Sequence, residues 1–176
     1  MSTGQIVVVA LRLVVPLLIL RRPLAGGIAA LLLDALDVVI VELFGPGGMG
    51  PHYHSLDKLM DLYYLGLEVW VSLRWTERLP RLTSIGLYLY RVAGVVLFEL
   101  LGWRELLFFF PNLFENWYLF YLIRFRFFPD LRLDTWPRVV GWLALLYIPK
   151  IGQEYLLHIS EAQPWEWLKD HLPGIR

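Results

Sequence analysis

Four aspartates carry most of the chemistry this sequence offers, because each sits in a stretch that is otherwise apolar. Asp34 and Asp37 interrupt a run of Ala, Leu, Val and Ile, and Asp57 and Asp61 open the next such run. An isolated carboxylate in apolar surroundings costs several kcal/mol, so such groups gather partners. At about 100° per residue, Asp57, Asp61 and Glu68 fall within about 40° of one another on a helix and form one stripe. Asp34 and Asp37, three positions apart, share a face of their own. A hairpin through 45–55 brings that face beside Asp57 and Asp61. Like charges that close cannot all stay ionised without a cation or a proton. Oxygen ligands with no Cys in the chain favour Mg²⁺, Mn²⁺ or Ca²⁺ over zinc, and Mg²⁺ or Mn²⁺ is the cofactor expected. The expected metal ligands are therefore Asp34, Asp37, Asp57 and Asp61, with Asp61 doubling as the catalytic base.

Other polar residues stand where lipid would penalise them: Glu68, Arg91, Glu99, Glu115, Lys150 and Glu154. Two readings stay open for this set. Internal pairing, Glu99 with Arg91 and Glu154 with Lys150, would merely specify helix packing. Alternatively, Asp61, Glu68, Arg91 and Glu115 would line an ion or proton pathway, the default for intramembrane acids. Asn112, Glu115 and Asn116 suit hydrogen bonding between helices. His52 and His54 read as solvated loop histidines, and His158 extends the face of Lys150 and Glu154. No phosphate-binding loop, His-Glu-x-x-His, Gly-x-Ser-x-Gly or intramembrane His pair occurs, so no nucleotide cofactor and no haem are expected.

The elements that must position these groups are membrane helices. The 176 residues are 57% hydrophobic and 18% charged with mean hydropathy +0.54, an apolar share above that of a water-soluble domain. A spanning helix needs about 20 apolar residues, and 23–44, 56–75, 80–101, 105–123 and 136–157 qualify. Segment 6–20 is shorter and is interrupted by Arg12 and Pro16. It has no basic residue before it and no small-residue cleavage site after it, so it is expected to be retained rather than cleaved. Gly and Pro mark the short connections. The fold expected is all-α, a polytopic membrane helix bundle of about six (five to six) transmembrane helices with short loops. Residues 1–160 form the single transmembrane domain, and 161–176, with Trp165 and Trp167 among charges, a short interfacial C-terminal tail.

Arg and Lys fall asymmetrically along the chain. Arg21-Arg22, then Arg74, Arg78 and Arg81, then Arg124, Arg126, Arg132 and Arg138 alternate with connections that hold almost none. Short cytoplasmic loops carry the basic excess, which places the 45–55 connection and the C-terminal tail outside. The balance of 16 basic and 16 acidic residues leaves no basic face for nucleic acid. Of the basic residues 13 are Arg, which we read as GC-rich codon usage and hence a bacterial inner (plasma) membrane location. The expected partners are membrane lipids and a second copy or a larger membrane complex.

The sequence Asp34-Ala-Leu-Asp37 followed by Leu56-Asp57-Lys58-Leu59-Met60-Asp61 resembles the paired acidic motif of the CDP-alcohol phosphatidyltransferases. The likeness covers 23–65. It implies a six-helix protomer that pairs as a homodimer, acids that hold divalent metal, and one acid acting as base on the incoming alcohol. The Gly and Ala-Arg elements of that motif are missing, since Val38 to Glu42 and Tyr53 stand in their places. The function expected is divalent-metal-dependent group transfer on a lipid or polyprenyl phosphate. The alternative is a non-enzymatic membrane module, either a small ion or proton pathway or an accessory subunit.

Overall fold

The computed structural model describes residues 3–43, 53–103 and 105–158, and among these every regular element is helical. Helix α1 (Thr3–Val14) passes into a 3-10 segment (Val15–Leu20) where Pro16 stands at the start of the tighter turn. A proline there removes an N–H that an α-helix would need. Together the two pieces reach about 30 Å, the thickness of a hydrocarbon core. Helices α2 (Pro23–Leu43), α3 (Tyr53–Ser72), α4 (Arg78–Leu101), α5 (Glu105–Phe109), α6 (Leu113–Phe127) and α7 (Trp136–His158) follow. Gly102, at φ 70°, closes α4 in the left-handed conformation that favours glycine. The 161–176 tail and most of the 45–55 connection lie outside the described residues.

Among the described residues, two segments are long and apolar enough to cross a membrane, Thr3–Leu20 and Arg78–Leu101. Many large apolar side chains face outward on the helices, among them Leu32, Leu36, Leu89, Leu100, Val140 and Ile148. The interior is aromatic: Trp75 stacks on Tyr121 with ring centroids 3.7 Å apart, and Trp117 donates its indole N–H to the Pro80 carbonyl at 3.2 Å. Helix α2 crosses close to the 3-10 segment because Gly26 has no side chain, and a Cβ there would strike the Ile19 backbone.

One expected element is two. The stretch 105–123 reads as a single helix in sequence, but the chain breaks at 110–112 between α5 and α6. Pro111 cannot donate to the preceding turn and disfavours α geometry in the residue before it. Pro111 and Asn112 are buried, so the freed backbone groups need partners inside the protein. Arg91 Nη1 donates to the Phe110 carbonyl at 2.9 Å and the Tyr90 hydroxyl to the Phe109 carbonyl at 2.5 Å.

The three basic connections meet at one end of the bundle. Leu20, Pro23, Arg74, Trp75 and Phe125 line one groove there. Arg124 pairs with Glu77 across the same end, and Arg81 reaches the Trp75 carbonyl at 3.4 Å.

Candidate functional site

The α1 face that packs inward is Gly4, Val8 and Arg12, spaced by four and buried. That spacing keeps the three on one side of the helix. It delivers the Arg12 guanidinium, only 3% exposed, into the angle between α2 and α3. There Arg12 donates to Asp34 Oδ1 and to Asp37 Oδ2 at 2.9 Å on α2, and to Asp61 Oδ1 at 2.5 Å on α3. Lys58 Nζ adds a second positive charge 3.9 Å from the other Asp61 oxygen. The acids of α2 and α3 thus gather as their spacing leads one to expect, and the cation at their centre is the arginine that sequence reading treats as an interruption of the first helix. The planar fork of a guanidinium suits this role, since its five donors can serve several carboxylates at once. The Asp57 side chain lies outside the described set. Among the described residues, no group of three or more His, Asp or Glu is arranged to hold a metal ion.

A second polar group continues down the same face of α3. Tyr64 and Glu68 follow Asp61 at three and seven positions, and Ser72 comes a turn later; all four are buried. The Tyr64 hydroxyl donates to Glu115 Oε1 at 2.8 Å, and Asn112 Nδ2 to Glu115 Oε2 at 3.3 Å. Glu115 lies in the first turn of α6, where the helix dipole favours an acid. Arg91 of α4 and Lys150 of α7, both buried, direct positive charge toward it. Glu68 differs from all of these. It is 0% exposed, and neither carboxyl oxygen has a hydrogen-bond partner among the described residues. Its surroundings are the Gly27 backbone, where an added Cβ would stand 3.0 Å from Glu68 Oε1, and the ring of Tyr118, whose hydroxyl is also buried without a partner among the described residues. Glu115 is close enough for the two carboxylates to repel if both ionise.

Of the two pairings expected as a purely structural alternative, that of Arg91 with Glu99 takes another form. Arg91 binds the backbone at the α5–α6 break, and Glu99 stands on the exposed part of α4, about 12 Å further along the helix axis. The Glu154 side chain, the expected partner of Lys150, is outside the described set. Sequence reading missed Arg12, Tyr64 and Tyr118. For Arg12 a signal existed, because a lone cation in an apolar helix demands an acidic partner as strongly as the aspartates demand a cation. For the two tyrosines none did, since Tyr is ordinary in apolar helices. Comparison with protein-family models, curated proteins and solved structures gives no match.

Proposed function

We propose that the chain is a multi-pass protein of the bacterial inner membrane, and that its buried polar line conducts protons across the bilayer. The spans in this reading are α1 with its 3-10 extension, α2, α3, α4, the broken α5–α6 pair, and α7. The observation that carries it is Glu68, a fully buried carboxyl group with no hydrogen-bond partner on either oxygen among the described residues. A buried carboxylate without partners costs more than the roughly 1–3 kcal/mol of a neutral orphan. Such a group is retained where a proton, water or a cation visits it. The route runs from the Arg12–Asp61 cluster along α3 through Tyr64 and Glu115 to Glu68. The break at 110–112 supports the same reading, because irregular backbone at membrane depth is tolerated where it lines a polar interior. Reconstitution into vesicles carrying an internal pH dye tests it. An imposed potential should drive acidification by the wild-type protein, and Glu68→Gln should return the rate to that of protein-free vesicles. Equal rates for wild type and Glu68→Gln would overturn the proposal.

A second reading is favoured by the convergence of Asp34, Asp37 and Asp61 on one positive centre. In it the chain is a metal-dependent group transferase on a lipid or polyprenyl phosphate, akin to the CDP-alcohol phosphatidyltransferases, with Asp61 as base. Arg12 then orients the acids in the resting protein. Turnover of a lipid phosphate that requires Mg²⁺ or Mn²⁺ and is lost in Asp61→Asn would support this reading over the conducting one.

A further inference from the structure

Arginines in this protein fall into two groups. Arg12, Arg124 and Arg138 each bind an acid, and Arg91 and Arg81 bind backbone carbonyls. Arg21, Arg22, Arg74, Arg78, Arg126 and Arg132 have no ion-pair or side-chain hydrogen-bond partner among the described residues, and three of them, Arg21, Arg22 and Arg74, lie at or beside one groove. A groove of about 300 Å³ opens at the basic end between the 3-10 segment, α3 and α6. Arg74 lines it, and Arg21-Arg22 occupy the turn between its lining residues Leu20 and Pro23. Val71, Leu122 and Phe125 give it an apolar wall, and no acidic residue is among its described lining. Trp75, another wall, carries a buried indole N–H with no hydrogen-bond partner among the described residues.

We propose that this groove binds one anionic diacyl phospholipid, with an acyl chain against Val71, Leu122 and Phe125 and the phosphate held by Arg21, Arg22 and Arg74. An apolar slot rimmed by uncompensated cations at the depth of the headgroups matches an amphiphile whose charge and chain are joined, and the volume lies at the small end of ligand pockets. The inference rests on the membrane reading but not on conduction or group transfer.

Native mass spectrometry of the full-length protein, titrated with dioleoylphosphatidylglycerol or dioleoylphosphatidylcholine, tests it. One phosphatidylglycerol should be retained at concentrations where phosphatidylcholine is not. Arg74→Gln should weaken retention about fivefold, and Arg21→Gln with Arg22→Gln more, since a juxtamembrane cation is worth about that factor. Leu122→Trp, which fills the slot and keeps the charges, should weaken it as well. Equal retention of the two lipids would overturn the proposal. So would displacement by millimolar inorganic phosphate, which would mark a site for a free anion, or a mass series at twice the protomer whose appearance is abolished by Leu122→Trp, which would mark a contact between copies. A failure of the membrane reading shows separately, as the absence of any protein in the bilayer fraction.

Discussion

Removing Arg12 leaves three carboxylates facing one another, two of them buried. Breaking a buried ion pair by deleting one partner costs about 3–5 kcal/mol, and here one cation serves three acids. Arg12→Gln should therefore lower the melting temperature of the detergent-purified protein sharply. Asp37→Asn should lower it less, because two acids and the arginine remain together. Arg12→Gln also vacates a centre that a divalent ion can fill. Millimolar Mn²⁺ should restore part of the lost stability in that variant by mass action and leave the wild type unchanged, where the guanidinium holds the place. A melting temperature unaffected by Arg12→Gln would show that the cluster is not held by it. A Mn²⁺ shift in the wild type would place metal beside Arg12 and favour the transferase reading. Glu68→Gln belongs to the opposite class: it replaces an unpartnered acid with a neutral isostere and should leave stability unchanged or raised, so its loss of conduction cannot be blamed on unfolding. At this scale the acids were legible from their cost in apolar helices, which is why Asp34, Asp37 and Asp61 were expected together. Their cation is less so, because Arg12 stands alone in a separate apolar segment, and its need of an acid does not say which acids answer it.

Helices α2, α3, α4 and α7 lie within a few residues of where hydrophobic length and Gly or Pro punctuation put them. The 105–123 stretch misled because its aromatic run is apolar on both sides of Pro111, so length alone reads across the proline. The break is fixed by tertiary contacts that composition does not encode. Gly94 of α4 is packed on the Phe110 side chain so closely that a Cβ would overlap it. Gly94→Ala should push Phe110 outward, strain the Arg91 bond to its carbonyl and cost about 1–3 kcal/mol, the range for overpacking a filled site. Gly86, with nothing near its position, is the control on the same helix, and Gly86→Ala should stabilise slightly through helix propensity. Equal melting temperatures for the two variants would mean that α4 and the break are not in the contact described.

The three Arg-rich connections lie at one end of the molecule, and in the membrane reading proposed above that asymmetry sets the orientation. The chain has no cysteine, so single cysteines can be introduced and labelled without background. Thr76 in the α3–α4 connection and Asp130 in the α6–α7 connection are exposed at the basic end, and Gly48 falls in the connection between α2 and α3. With a membrane-impermeant maleimide applied to spheroplasts, Gly48→Cys should label at once, while Thr76→Cys and Asp130→Cys should label only after the membrane is opened. In the proposed topology the arrangement follows from an even number of crossings between residues 76 and 130, with α4 as one span and α5 with α6 together as one broken span. Since α6 alone reaches only about 22 Å, the joint crossing is the weakest geometric step, and Asp130 is its direct reporter. If Thr76 and Asp130 label from opposite sides, α5 and α6 do not cross together, and the buried break at Pro111 loses its place inside the bilayer. If all three positions reverse, the bundle survives with its basic end outward, and the lipid groove would face the leaflet poorer in anionic headgroups.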